Sequence, residues 1–315
     1  MKQPIRVGIV GVGKIARDQH IPSIAANPAF QFIAAASRHA HTEGVKNFAS
    51  LEDMLEGAPE LDAVAICTPP QTHYQIGKLA LKSGKHVLME KPPCTSLSQL
   101  EHLKSLALER GVTLYQTWHS QHAHGVAPAA ELLRQRRLEG VQVTWKEDVR
   151  VWHPGQHWIW EPGGFGVLDP GINAISILTR LIAEPLFATS STLYVPSNCA
   201  TPIAASIRAS SDSGIPISLE FDFRHTGIQT WDIDLDTDQG PIKLSAGGGE
   251  LAVGARPAPA TPGKLQSEYE SIYAHFAQLI ASGRSDVDAR PMQLVADLFL
   301  TGRQVSVEAF VDGQS

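Results

Sequence analysis

With 315 residues, 43% hydrophobic and 18% charged, the chain is long enough for two cores and has the composition of a globular protein rather than a disordered or fibrous one. A formal charge of -6 gives no reason to expect nucleic acid or an anionic membrane surface as partner. Cys67, Cys94 and Cys199 are odd in number and lack C-x-x-C spacing, which argues against a disulfide framework or a zinc site.

Met1 to Pro4 lead directly into a predicted strand, and no apolar run approaches the roughly 20 residues that cross a bilayer. A cytoplasmic chain with a small, uncharged substrate is the expectation. Val7, Ile9 and Val10 read as a buried strand, and Ile15, Ala16, Ile21 and Ile24 as one face of a following helix. Between them lies a G-x-G-x-x-A spacing. Gly11 allows the turn, Gly13 lets backbone approach a pyrophosphate, and Ala16 packs helix on strand. The amides that open the helix, from Lys14 and Ile15, then face phosphate oxygens.

Phe32 to Ala36 form the second predicted strand and deliver Ser37-Arg38, a hydroxyl and a guanidinium where an NAD site usually places a carboxylate. A guanidinium can fork onto a 2′-phosphate, so NADP is expected as the preferred cofactor with NAD tolerated; the alternative is an ordinary solvated arginine. Ser50 opens a short helix, and Leu61 to Cys67 read as a strand buried on both faces that runs into Thr68-Pro69-Pro70. Ligands bind at the carboxyl ends of parallel strands, which makes Thr68 and Pro69 a candidate cofactor edge. After a helix ending at Ser83-Gly84, the strand His86 to Met89 terminates in Glu90-Lys91-Pro92-Pro93. Ser96 caps a helix to Arg110, and Val112 to Thr117 bring Trp118 and His119 to the same edge.

From about residue 123 the pattern changes to long alternating strands with few helices, the mark of an antiparallel sheet with one covered face. After a helix from Val126 to about Arg136, Val141, Val143, Trp145, Glu147, Val149 and Val151 fall on one side of a strand. A carboxylate in that apolar row either sits at a bulge or exposed face, or accepts hydrogen bonds from a ligand. Trp152, His153, His157, Trp158 and Trp160 crowd one loop, and three of the chain's six tryptophans lie in it. Flat amphipathic rings suit the faces of a sugar and of nicotinamide, although stacked core aromatics would look the same. Asp169-Pro170 reads as N-cap and first residue of a helix to about Ile182, and Asn173 projects from the same side one turn later. Strands continue over residues 186–254, where Asp232, Asp234, Asp236 and Asp238 read as a solvated stripe. A stiff connector from Arg256 to Gly263 and helices over Ser267 to Ala281 and Pro291 to Glu308 complete the chain.

Glu90-Lys91-Pro92 closing a strand, behind an N-terminal G-x-G-x-x-A and before an antiparallel second half, resembles the Gfo/Idh/MocA oxidoreductases over essentially the whole chain. Within that family, Ser37-Arg38, Lys91, Trp118-His119, Glu147-Asp148, the W-H-P-G-Q-x-W-x-W loop and Asp169-Pro170-Gly171-Ile172-Asn173 are similar to the aldose 1-dehydrogenases of L-arabinose, D-galactose or D-fucose. The resemblance implies an α/β fold with an N-terminal Rossmann domain (1–122) and a C-terminal α+β domain (123–315) built on a large, mainly antiparallel open sheet. It allows the C-terminal helices to pack back on the first domain. It implies oxidation of the anomeric hydroxyl of an aldopyranose to a lactone, with hydride passing to NADP or NAD and with Lys91 and Asp169 as catalytic residues. Gly11, Gly13, Lys14, Ile15, Ser37, Arg38, Thr68, Pro69, Glu90, Lys91 and Trp160 form the implied cofactor set. Lys91, His119, Glu147, Trp152, His153, Asp169 and Asn173 form the implied sugar set, and Lys91-Pro92 an implied cis peptide.

The chain departs from the common Asp-x-x-x-His pattern of the family, because Asn173 cannot take a proton. Lys91 is the first candidate for the base, since burial beside the cofactor's cationic ring favours a neutral amine; Asp169 is the second, as base or as the charge that positions Lys91. A reductase of another small carbonyl or imine, or a non-catalytic NADP sensor, would share the cofactor half. A metal centre on His119, His122, His124, His153 and His157 lacks zinc-motif spacing, so no metal is expected. A wide open sheet face would favour pairing of two copies, giving a homo-oligomer, with neither nucleic acid nor membrane as partner.

Overall fold

The computed structural model describes residues 3–254, 256–257 and 265–312. It divides into two compact units, Met1–His119 with Leu265–Ala289, and Ser120–Lys264 with Arg290–Ser315. In the first unit, β1 (Ile5–Val10), β2 (Phe30–Ala36), β3 (Lys46–Phe48), β4 (Ala63–Ile66), β5 (His86–Met89) and β6 (Leu114–Gln116) form a parallel sheet in the order β3-β2-β1-β4-β5-β6. All four residues of β4 are buried, as expected of a strand covered on both faces. The strand order reverses between β1 and β4, so their carboxyl ends diverge into a crevice.

The first helix opens as a π turn (Ala16–His20) and continues as α1 (Ile21–Ala26). Pro22 has no amide hydrogen to give to the preceding turn, and the wider turn absorbs that loss. His20 lies four residues after Ala16 and four before Ile24 and is buried on the same face as both. Helix α2 (Leu51–Gly57) starts on Ser50, whose hydroxyl accepts from the Asp53 amide at 3.1 Å. Helix α3 (Pro70–Lys82) follows β4, and α4 (Leu97–Arg110) starts on Ser96, which accepts from the Gln99 amide at 3.4 Å.

The second unit opens with α5 (Val126–Leu133) and β7 (Leu138–Lys146). The expected single strand through Val151 is corrected: β7 ends at Lys146, the Glu147 amide donates to Asp222 O at 3.0 Å, and the chain bends into the short α6 (Val149–Trp152). Helix α7 (Leu168–Leu181) is followed by β8 (Leu186–Pro196), β9 (Ala204–Ser211), β10 (Pro216–Asp222), β11 (Thr230–Thr237), β12 (Ile242–Ser245), β13 (Glu250–Val253) and β14 (Arg256–Pro257). Most of the connector expected after Arg256 lies outside the described residues; Arg256 and Pro257 pair with β13.

The chain returns to the first unit as α8 (Leu265–Ser282), which puts Tyr269, Ile272, Tyr273 and Phe276 into one core with Val7, Ile9, Ile24 and Phe30. It then re-enters the second unit as α9 (Arg290–Thr301) and β15 (Arg303–Val307). The helix expected to reach Glu308 therefore stops seven residues early. Gly302 is the reason: a Cβ there would lie 2.3 Å from Leu298 O, and the residues beyond it alternate with period two.

The nine strands of the second unit run β14-β13-β12-β11-β7-β10-β9-β8-β15, antiparallel except for the pairs β7/β10 and β8/β15. One face is apolar: Val141, Val143, Leu219, Phe221, Ile233 and Leu235 are buried, and a Cβ on Gly171 of α7 would stand 3.1 Å from the Phe221 ring. The other face is polar and carries Lys243 against Asp232 at 2.6 Å and Ser206 against Glu220 at 2.7 Å. The acidic stripe is thus partly neutralised within the sheet.

Candidate functional site

At the crevice between β1 and β4, Gly11 has φ of +90°, and a Cβ there would lie 2.7 Å from Thr68 Cγ2 and 2.8 Å from Thr68 N. Only glycine permits both that backbone and that approach. Gly13 differs: it is exposed, and an added Cβ would meet nothing within 4 Å. Its smallness is thus not required by the protein's own packing, and it leaves room for a group that comes close to the backbone. Lys14 and Ile15 open the helix beside it, and Ala16 is fully buried against the sheet. These residues fit the pyrophosphate of a dinucleotide. Ser37 and Arg38 follow β2, with Arg38 exposed, and the Thr68 hydroxyl accepts from that of Thr72 at 2.8 Å, beside the exposed Pro69.

Glu90 and Lys91 follow β5, Lys91 is half-buried, and the Lys91-Pro92 peptide is cis. Beneath Lys91 lies a buried polar cluster that the sequence pattern does not foreshadow. Glu90 Oε2 accepts the Lys91 amide at 3.0 Å. Glu90 Oε1 meets His20 Nε2 at 2.9 Å and accepts from the Tyr269 hydroxyl at 2.9 Å, and His20 Nδ1 meets the Tyr273 hydroxyl at 2.9 Å. Burial alone would raise the Glu90 carboxyl; hydrogen bonds from His20 and Tyr269, with the imidazoles of His20 and His119, outweigh it and bring the value down to about 2. Burial and the Glu90 charge push the Tyr269 hydroxyl up, so it remains a neutral donor.

Because Glu90 is held below its ordinary value of 4.5, its contribution to stability is complete above that value and is lost as pH falls towards about 2. The contribution is on the order of 3 kcal/mol, the free energy that separates an ordinary value of 4.5 from one of about 2. Glu90→Gln should flatten the fall in unfolding free energy between pH 4.5 and 3, measured by urea titration at each pH; an unchanged slope would contradict this assignment.

His119 stands at the edge of that cluster, its Nδ1 2.8 Å from Glu268 Oε2 and its ring stacked on Tyr269 at 5.8 Å. Trp118 is buried and donates its indole N–H to Asp288 O at 2.9 Å.

In the second unit, Glu147 is 2% exposed, and both of its oxygens are engaged. Trp231 Nε1 donates to Oε2 at 2.7 Å, and His153 Nε2 meets Oε1 at 2.8 Å. Its place in the apolar row is explained by these partners within the chain, and it fixes the imidazole and the indole in place. Trp152 is 42% exposed and meets Trp231 edge-on at 4.7 Å; Trp231 stacks on Trp145 at 5.8 Å. Phe223 joins His153 at 5.3 Å to Trp160 at 5.8 Å, and Trp160 also lies 4.8 Å from Phe310.

Asp169 is 3% exposed but is not the helix cap expected of it. Gly166, at φ of +54°, turns the chain earlier, and the amides of Leu168, Asp169 and Gly171 already donate to Phe165 O, Gly166 O and Val167 O. The carboxylate lies in the first turn of α7, where the helix dipole favours its charge, with half-buried Asn173 one turn on.

The structure thus gathers Gly11, Gly13 and Thr68 at one sheet edge, ties Glu90 to the Lys91 amide, and couples Glu147 to His153. Sequence reasoning missed His20, Glu268, Tyr269, Tyr273 and Trp231. For Trp231 a signal existed, a tryptophan in phase with Ile233 and Leu235 in an otherwise acidic strand. Among the described residues no group of three His, Cys, Asp or Glu is placed to hold a metal ion, and no helix is long and apolar enough to cross a membrane.

A parallel sheet with this strand order and an open glycine turn at its reversal point is the arrangement of a dinucleotide-binding domain of Rossmann type. Residues 5–117 match the model of the oxidoreductase family with an NAD-binding Rossmann fold, Gfo/Idh/MocA. Galactose 1-dehydrogenase of Pseudomonas fluorescens is 48% identical over 312 residues, covering 98% of this chain and all of the relative. The chain belongs to the Gfo/Idh/MocA family. Among solved structures, D-galactose-1-dehydrogenase from Rhizobium etli superposes with a TM-score of 0.93 at 46% identity, covering 99% of both chains. A 3-ketoreductase from Actinomadura kijaniata, in complex with NADP and TDP-benzene, shares the fold at TM-score 0.84 and 21% identity, over 97% of this chain and all of that one.

Proposed function

We propose that the chain is an NAD(P)-dependent aldose 1-dehydrogenase that oxidises the anomeric hydroxyl of an aldopyranose to its lactone. The reading rests on the 48% identity to a galactose 1-dehydrogenase over 98% of this chain and all of that relative. D-Galactose leads the candidate substrates, with L-arabinose and D-fucose as relatives that keep the hydroxyl pattern of the galacto ring. A bound nicotinamide dinucleotide supplies the hydride acceptor.

Lys91 takes the hydroxyl proton, and Asp169 supplies the charge that holds the amine in place. Asn173, His119 and His153 bind the remaining hydroxyls, with His153 oriented by Glu147, and Trp152 lies along an apolar face of the sugar. A site of this kind separates epimers, because a misplaced hydroxyl leaves buried groups unpaired. Initial rates over a panel of aldopentoses and aldohexoses with both coenzymes test the reading. D-Galactose, L-arabinose and D-fucose should exceed D-glucose by at least tenfold in kcat/KM, and no turnover of any aldose would end it.

Arg38 and Ser37 carry the proposed preference for NADP over NAD, because a guanidinium and a hydroxyl suit a 2′-phosphate whereas a carboxylate suits a ribose 2′-hydroxyl. Ser37→Asp with Arg38→Ala is expected to lower the NADP/NAD ratio of kcat/KM by ten- to a hundredfold. An unchanged ratio would place the phosphate elsewhere. Self-association through the polar face of the nine-stranded sheet is also proposed, and a monomer in sedimentation equilibrium would refute it.

A further inference from the structure

We infer that His20 is a positioning residue for Lys91, acting through Glu90 from the buried side of the first unit. This deepens the proposed function, since it takes Lys91 as the proton acceptor. The contacts form an unbroken path: Tyr273 hydroxyl to His20 Nδ1 at 2.9 Å, His20 Nε2 to Glu90 Oε1 at 2.9 Å, and Glu90 Oε2 to the Lys91 amide at 3.0 Å. His20 is wholly buried and Glu90 nearly so, and the edge of the Tyr269 ring meets the imidazole at 4.9 Å. No solvent route is needed to explain a histidine in such a place, and a hydrophobic residue would fill it at lower cost.

The chemistry of the path fixes its direction. An ionised carboxylate only accepts hydrogen bonds, so His20 Nε2 carries a proton and donates it to Glu90. One oxygen of Glu90 is thereby occupied by His20 and Tyr269, and the rotamer that results aims the other at the Lys91 backbone. The backbone at Lys91 is where the side chain is launched, so an error of rotation here is carried out to the amine. A second buried histidine grips the same turn from α3: His73 Nδ1 faces Pro92 O at 2.9 Å while its Nε2 faces Thr68 O at 2.6 Å, joining the Lys91-Pro92 turn to the glycine-turn edge. Cofactor edge and lysine turn are thus held in one frame, and His20 is the member of that frame that reaches Lys91 without touching the cradle residues Gly11 and Thr68.

The test compares His20→Phe, which keeps an aromatic ring and removes both polar contacts, with His20→Gln, whose amide can donate to Glu90 and accept from Tyr273. His20→Phe should lower kcat for D-galactose by thirty- to a hundredfold, with the sugar KM and the NADP dissociation constant each within threefold. His20→Gln should recover at least tenfold of that loss. A proportionate loss of NADP binding, or no recovery by glutamine, would make His20 merely structural and overturn the inference. A second readout does not depend on the sugar: modification of Lys91 by trinitrobenzenesulfonate, followed by peptide mass spectrometry, should change at least threefold in rate in His20→Phe while Lys85 is unaltered. An unchanged Lys91 rate overturns the inference even if the wild type oxidises no aldose, an outcome that would separately end the proposed function. If His20→Phe fails to fold, Glu90→Gln takes its place in both measurements: a fall in kcat and a changed Lys91 rate support the path, and wild-type values for either overturn it.

Discussion

Replacing Lys91 by alanine is expected to lower kcat for the proposed aldose oxidation by a thousandfold or more while the dissociation constant for NADP changes by no more than about threefold. The size follows from the share that a positioned proton acceptor supplies, roughly 10²–10⁴ in rate, together with the loss of a hydrogen bond to the reacting hydroxyl. The selectivity follows from the structure. The groups proposed to hold the dinucleotide, Gly11, Gly13 and Thr68 with Ser37 and Arg38, follow β1, β4 and β2 and do not include the lysine amine. The backbone of the turn is held by the Glu90 carboxylate on the Lys91 amide, which alanine retains, so thermal unfolding should shift by only a degree or two. Lys91→Arg adds a finer distinction, because arginine keeps the positive charge but does not give up its proton in a protein. A base role predicts that arginine is as inactive as alanine; recovery to a tenth of wild-type kcat would show that charge alone suffices. Initial-rate kinetics and a fluorescence titration with NADP decide the matter, and alanine activity within threefold of wild type would remove the lysine from the mechanism.

What could be read from the sequence was local. The glycine turn, the buried run of β4 and the serine caps of α2 and α4 each depend on residues within one or two turns of chain, so their physics is complete in a short window. The partners of the candidate site are not local. Tyr269 donates to Glu90 across 179 positions and Trp231 to Glu147 across 84, so a carboxylate that looks misplaced in its own strand is satisfied by a residue that no periodicity reveals. His20 was hidden in the same way: its spacing from Ala16 and Ile24 puts it on their buried face, but its partners Glu90 and Tyr273 lie 70 and 253 positions away. The same limit applies to Asp169, where Asp-Pro suggests a cap but Gly166 has already satisfied the helix amides from its own carbonyl and those beside it. Where the cap is set by backbone geometry a few residues away, the Asp-Pro pattern alone misplaces it.

Asp169→Asn should lower kcat by about a hundred- to a thousandfold, and its residual rate beside that of Lys91→Ala separates two roles for the carboxylate. Asparagine matches the shape of a side chain that is 3% exposed in the first turn of α7, so folding is spared while charge and proton affinity are removed. If Asp169 only positions Lys91, asparagine keeps the shape of the side chain and a polar contact, and residual turnover stays well above that of Lys91→Ala. If Asp169 is itself the proton acceptor, Asp169→Asn falls to the level of Lys91→Ala. The combined Lys91→Ala, Asp169→Asn variant completes the test, since groups that act as a unit give losses far from additive. The pair proposed here should be no slower together than the worse single variant within about threefold; losses that multiply would mean that the two residues serve separate steps.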